Sequence, residues 1–250
     1  MRVGLMGYGK AGGAVASVLA QDPRFKLEWI ATRSGGQREV DLGGRKIPVV
    51  ALRKETLPDW LSLHPVDAVV DFSNAESAAI YADEVQSRGL MLVTAISSYN
   101  ESQLARLRSM GEYIRVLCSP NITVGINFLI MAARLLKEIA PFADVEILEQ
   151  HFREKPEVSG TAKKIADSLE LGGDKITSMR LGGIVGHHEV IFGFPYQTVR
   201  LIHNSIKREA FGTGAAFVLD ELQHYPPGFY TFEDMLMKRV RTQLVASSQE

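Results

Sequence analysis

A chain of 250 residues that is 46% hydrophobic and carries a formal net charge of −1 has material for one large or two modest buried cores, and we read it as two unequal domains. The near-neutral balance lacks the clustered basic excess that nucleic acid or an anionic membrane would select, so small molecules and copies of the chain itself are the expected partners. The single cysteine, Cys118, excludes an intramolecular disulfide and sits in apolar company beside Val116 and Leu117; with no apolar run of spanning length and no targeting pattern, a cytoplasmic location is expected.

The first apolar run, Val3-Gly4-Leu5-Met6, leads into Gly7-Tyr8-Gly9-Lys10-Ala11-Gly12 and then into small and apolar residues at helical spacing through Ala20. This reads as strand, glycine turn, helix. A second strand, Leu27-Glu28-Trp29-Ile30-Ala31, follows Asp22-Pro23, and the unbroken runs Ala68-Val69-Val70 and Leu90-Met91-Leu92-Val93 suit strands buried on both faces. Residues 75–88 and 101–110 have helical character. Strands alternating with helices at this spacing predict an α/β fold, a Rossmann-type doubly wound parallel sheet, over residues 1–121.

The pattern changes after Ser119-Pro120-Asn121. A long apolar helix is expected over 126–139, and Val145-Glu146-Ile147-Leu148-Glu149, Glu189-Val190-Ile191-Phe192-Gly193 and Gln197-Thr198-Val199-Arg200-Leu201-Ile202-His203 alternate as half-exposed strands do. They predict a second, smaller α+β domain over 122–212, whose mixed sheet has one open face to cover a substrate or pair with another subunit. Phe211-Gly212-Thr213-Gly214 reads as a turn before a helix over 215–223, and Pro226-Pro227-Gly228 as the start of a short tail. Residues 213–250 are expected to return to the first domain.

Gly7, Gly9 and Gly12 have the G-x-G-x-x-G spacing in its required context, a strand before and a helix after. The first glycine permits the turn, the second lets backbone approach a pyrophosphate, and the third lets the helix pack closely, with Lys10 and Ala11 opening the helix against the anion. A plain glycine turn is the alternative. At the end of the second strand, where a carboxylate would bind the ribose of NAD, the chain has Thr32-Arg33-Ser34; a guanidinium and two hydroxyls suit a 2′-phosphate, so NADPH is favoured and NADH is possible. Asp71 closes an apolar strand at the sheet edge, as a cofactor neighbour or as a turn cap. His151, with Arg153 and Lys155 close behind, sits where an acid and two cations could act on an anionic substrate, and Ser159-Gly160-Thr161 opens a helix over 162–169, as a carboxylate cradle or as an ordinary N-cap. His187 and His188 are adjacent on a strand and would face opposite ways, which argues against a metal pair.

Five blocks in order, Val70-Asp71-Phe72-Ser73, 119–127, 149–162, 183–190 and 208–215, resemble the dihydrodipicolinate reductase family over nearly the whole chain. The resemblance implies a nucleotide domain, a central substrate domain that makes a homotetramer, and hydride transfer from NAD(P)H to a cyclic dicarboxylate of lysine and diaminopimelate synthesis. It implies His151 as general acid with Lys155 near the reacting centre, Ser159, Gly160 and Thr161 as the carboxylate turn, Asp71, Phe72, Ala95 and Asn121 beside the nucleotide, and Ser97 as a substrate contact. Phe152 stands where the family has a second histidine, the following Pro156-Glu157-Val158 is one residue short, and Ala95-Ile96 replaces a glycine and a threonine. A reductase of another cyclic imine and a nucleotide-sensing regulator without catalysis are the alternatives.

Overall fold

The computed structural model of the chain describes residues 1–33, 38–51 and 53–247. They form two compact units, one of residues 1–123 with 208 onward, the other of residues 124–207. The first unit contains β1 (Arg2–Met6), α1 (Lys10–Gln21), β2 (Lys26–Thr32), β3 (Arg38–Leu42), β4 (Arg45–Ala51), α2 (Leu57–Leu63), β5 (Ala68–Asp71), α3 (Ala78–Ser87), β6 (Met91–Thr94), α4 (Glu101–Met110) and β7 (Arg115–Cys118). The second contains α5 (Val124–Ile139), β8 (Asp144–His151), α6 (Gly160–Ser168), β9 (Ile176–Arg180), β10 (Gly186–Phe194) and β11 (Gln197–Ser205); α7 (Glu209–Leu222), β12 (Gly228–Tyr230) and α8 (Phe232–Ser247) complete the first.

The first unit is an eight-stranded sheet in the order β12-β7-β6-β5-β1-β2-β4-β3, parallel except for the β3–β4 hairpin. Each residue of β5 and of β6 is buried, the outcome expected of apolar runs without alternation in a sheet covered on both faces. One hydrophobic cluster runs from Met6, Trp29 and Val69 to Leu107, Met110 and Val116. At the head of α4, Asn100 and Gln103 form a capping box, each side chain accepting the other's N–H at 2.9 Å.

The C-terminal segment departs from expectation. The helix predicted from 215 begins at Glu209, so Gly212 and Gly214 lie inside α7. Their role is proximity: a β-carbon on Gly212 would lie 2.5 Å from Val18 of α1, and one on Gly214 would lie 1.9 Å from the Ile122 carbonyl oxygen. Nor is the end of the chain a simple tail. β12 adds to the sheet beside β7, and α8 follows it. The β3–β4 hairpin, α2, β7 and β9 were likewise not anticipated.

In the second unit the sheet order is β11-β10-β8-β9, with β10 antiparallel to both β11 and β8, and β8 parallel to β9. One face, with Val145, Ile147, Val190 and Phe192, packs against Ile126, Leu129, Ile130 and Ala133 of α5 and Ala162, Ile165 and Ala166 of α6. Burial of each large aliphatic or aromatic side chain there stabilises by about 1.5–3 kcal/mol. The opposite face carries Met179 and Ile202, both exposed.

Candidate active site

β1 lies between β2 and β5, where successive crossovers leave in opposite directions, and such a switch point opens a crevice at the carboxyl ends of the strands. The glycine loop occupies it. Gly7 has φ of +94° and donates its N–H to the Ala31 carbonyl at 2.8 Å. A β-carbon on Gly7 would lie 2.7 Å from the Phe72 carbonyl oxygen, and one on Gly12 would lie 2.2 Å from that of Gly7, so both glycines are dictated by packing. Gly9 is different. A β-carbon there would meet nothing within 4 Å, and the residue is the exposed N-cap of α1, with neither a side-chain capping bond nor an acid in the first turn. First-turn N–H groups lack intrahelical partners and carry partial positive charge, so Gly9, Lys10 and Ala11 form a cradle that fits a pyrophosphate.

Thr32 ends β2 with its hydroxyl 3.5 Å from the Val50 carbonyl, and Arg33 follows it exposed to solvent. Ser34 lies outside the described residues. Asp71, at the end of β5, is fully buried: one carboxylate oxygen accepts from the Ser73 N–H at 2.8 Å and the Ser73 hydroxyl at 2.5 Å, the other from the Tyr81 hydroxyl. Burial pushes its carboxyl up to about 6, against the lowering effect of these donors. Its side chain thus takes the turn-capping alternative, and the Phe72 carbonyl beyond it is what packs on Gly7. The Phe72 ring meets Phe211 edge-on at 6.2 Å. Ala95 donates its N–H to the Asp71 carbonyl at 3.0 Å, Ile96 is buried, Ser97 is exposed, and the Tyr99 hydroxyl is 2.7 Å from that of Thr94. Asn121 accepts at its side-chain oxygen from the N–H and the hydroxyl of Thr123, at 3.0 and 2.9 Å.

The second unit gathers its polar groups around Glu149. Alternation along β8 puts Glu149 and His151 on the helix-covered face, where the carboxylate is fully buried and 2.5 Å from Nδ1 of His151. Across the parallel pair, Arg180 of β9 grips the same carboxylate with both terminal nitrogens, at 3.0 and 2.9 Å. The Ser178 hydroxyl donates at 2.7 Å and the Ser159 N–H at 3.2 Å. Burial alone would raise this carboxyl, but Arg180, Ser178, His151 and Ser159 outweigh it and hold it down at about 2. Arg180 also donates to the carbonyls of Lys155, Glu157 and Met179, which ties the segment that carries Lys155 to the same centre.

Ser159 takes the N-cap position that the sequence offered beside the carboxylate cradle. The residue is buried, its hydroxyl lies 2.8 Å from Nε2 of His188, and its N–H donates to Glu149. The hydroxyl also caps α6 by accepting from the Ala162 N–H. Gly160 and Thr161, exposed and half-buried, keep the first-turn positions open to an anion. His188 is pushed down to about 3, first by burial and then by the neighbouring His151 and His203. His187, on the other face of β10, pairs with Asn204 at 2.8 Å. Lys155 is half-buried, and Arg153 and Phe152 are exposed.

Glu149, Ser178, Arg180 and His188 were given no role by the sequence reading. Glu149 had a signal, since a carboxylate two residues before a histidine on an alternating strand shares its face. Arg180 and Ser178 had none, because β9 was not anticipated.

Among the described residues no helix is long and apolar enough to cross a membrane. Residues 1–122 match the family model described as dihydrodipicolinate reductase, N-terminus, and residues 121–236 that described as dihydrodipicolinate reductase, C-terminus. A 4-hydroxy-tetrahydrodipicolinate reductase of Symbiobacterium thermophilum is 35% identical over 234 residues, 86% of this chain and 89% of the relative. The enzyme of the same name from Caldanaerobacter subterraneus subsp. tengcongensis is 29% identical over 92% of this chain and 95% of its own length. In fold, the chain is similar to a dipicolinate-bound dihydrodipicolinate reductase from Paenisporosarcina sp. TG-14, with a TM-score of 0.76, 21% identity, and coverage of 92% of this chain and 97% of that one.

Proposed function

The chain belongs to the dihydrodipicolinate reductase family and is a pyridine-nucleotide-dependent reductase, and from that premise we propose that it reduces 4-hydroxy-tetrahydrodipicolinate to tetrahydrodipicolinate with NADPH, in lysine and diaminopimelate synthesis. The observation that carries this reading is the buried Glu149–His151 pair beside the head of α6, an acid–base group next to an anion-favouring helix terminus. The loop of Gly7, Gly9, Lys10, Ala11 and Gly12 would hold the pyrophosphate, and Arg33 with Thr32 would favour a 2′-phosphate. When bound, the reduced nicotinamide supplies a hydride and leaves oxidised.

The residues of the chain do the rest. With loss of water the 4-hydroxy compound becomes a conjugated C=C–C=N system; a hydride adds at its terminal carbon, the π electrons shift toward nitrogen, and one proton is taken up. His151, or Lys155, gives that proton, a contribution worth about 10²–10⁴ in rate. Lys155, the N–H groups of Gly160 and Thr161, and the Thr161 hydroxyl would orient the carboxylates. Asp71, Phe72, Ala95 and Asn121 are proposed to shape the cofactor side, Asp71 through the turn it caps, and Ser97 is proposed to contact the substrate. We further propose a homotetramer paired through the open face of the four-stranded sheet, where Ile202 is 54% exposed; light scattering tests it.

The test is oxidation of NADPH, and separately of NADH, by the purified protein with freshly generated 4-hydroxy-tetrahydrodipicolinate. Turnover of about 1–10³ per second is expected, and it should fall sharply in His151→Gln or in Lys155→Ala. Intact turnover in both variants would refute the assignment. Tight NADPH binding without turnover would favour a different cyclic imine, a reading prompted by exposed Phe152 at the position of the family's second histidine.

A further inference from the structure

Building on the assignment of His151 as the proton-exchanging residue, we infer that Glu149 is its positioning residue: braced by Arg180, it fixes a proton on Nδ1 and leaves Nε2 as the nitrogen that exchanges a proton with a bound ligand. An ionised carboxylate only accepts hydrogen bonds, so Nδ1, 2.5 Å from it, must donate. The neutral ring is therefore the Nδ1–H tautomer, with its lone pair at Nε2, and the imidazolium carries its second proton at that same atom. Both states keep the bond to Glu149, so the ring need not turn as a proton comes and goes.

The brace is what makes the arrangement rigid. Each of the five N–H groups of Arg180 has an acceptor: the two Glu149 oxygens and the carbonyls of Lys155, Glu157 and Met179. His188 of β10 meets the ring edge-on at 5.3 Å between centroids, and its own Nε2 is bonded to the Ser159 hydroxyl. On the Nε2 side stands Gly186, where a β-carbon would come within 3.2 Å of that nitrogen.

The donors around Glu149 make a sharp test. One oxygen receives Arg180, Ser178 and Ser159, the other Arg180 and His151. In Glu149→Gln the amide oxygen takes the position with three donors, which turns the NH₂ toward Nδ1 and forces the ring into the Nε2–H tautomer. Imidazole nitrogen NMR should therefore show neutral His151 protonated at Nδ1 in the parent protein and at Nε2 in Glu149→Gln. Turnover in the variant should fall about 10²-fold with KM changed less than about threefold, and Glu149→Asp should recover part of it.

If the half-buried, unmatched Arg180 prevents Glu149→Gln from folding, Glu149→Gln/Arg180→Met removes both charges and carries the same tautomer expectation. Gly186→Ala should lower turnover while keeping Nδ1–H. An Nε2–H ring in the parent protein, or an unchanged tautomer in the folded Gln variants, overturns the inference. Unchanged turnover in His151→Gln would instead strike the catalytic assignment, because the tautomer result is read without catalysis.

Discussion

The Ser159 hydroxyl lies 2.8 Å from Nε2 of His188 on the buried face of the second unit, while the Ser159 N–H donates to Glu149. A serine at the head of a helix thus spends both of its polar groups on structure, joining α6 to β10 and β8.

Ser159→Ala removes the cap of α6 and leaves His188 Nε2 buried without a partner. Each loss costs about 1–2 kcal/mol, so a destabilisation of about 2–4 kcal/mol is expected in urea unfolding. A change below about 0.5 kcal/mol would show that the pair holds nothing.

The glycine loop separates packing from binding. Gly9→Ala adds a methyl group where nothing stands within 4 Å, at a φ of −81° open to any residue, so the melting temperature should hardly move while NADPH affinity drops about tenfold or more. Gly7→Ala, by contrast, meets Phe72 at 2.7 Å with φ of +94° and should destabilise the fold itself by about 2 kcal/mol or more. Thermal melts and fluorescence titration of NADPH on both variants distinguish the two roles.

Arg33→Ala tests the choice of nucleotide. Loss of a guanidinium–phosphate contact worth about 1.5–3 kcal/mol should lower kcat/KM for NADPH by about 10- to 100-fold and leave that for NADH within about threefold. Equal losses with both nucleotides would mean that Arg33 serves the loop and not a 2′-phosphate.

Asp71 gives stability an unusual dependence on pH. Its carboxyl is raised by burial from 3.8 to about 6, so between those values the folded protein holds a proton that the unfolded chain releases, and stability falls as pH rises through the window. His188, lowered from 6.5 to about 3, has the opposite slope, with stability lost as pH falls across that range. The difference between parent and Asp71→Asn isolates the first effect: the parent should lose about 2 kcal/mol more than the variant between pH 4 and pH 6.5 in urea melts. Parallel curves would refute it.

Much of the first unit was legible because its signals are local. Unbroken apolar runs rich in β-branched residues, such as Ala68-Val69-Val70, suit strands covered on both faces, and the glycine spacing after Val3-Gly4-Leu5-Met6 predicts a strand–turn–helix whose sense follows from chain direction. The alternation of Val145 to Glu149 likewise puts Glu149 and His151 on one face. Where local signals conflict, they mislead: Gly212 and Gly214 look like a turn, yet sit inside α7 because α1 and the 122–123 backbone come too close for any side chain.

The sequence by itself thus determined the strands and helices with strong local patterns, the doubly wound character of the first unit, the glycine loop and the residue types from which an acid and an anion cradle are made. Only the tertiary structure decided how those groups are shared out. Arg180 reaches Glu149 from 31 residues away, and His188 reaches Ser159 from 29, because β9 and β10 flank β8 in one particular register. A shift of one residue in either strand would turn these side chains to the opposite face. Register follows from the packing of α5 and α6 on the whole sheet, an energy summed over the unit that no short stretch of residues contains.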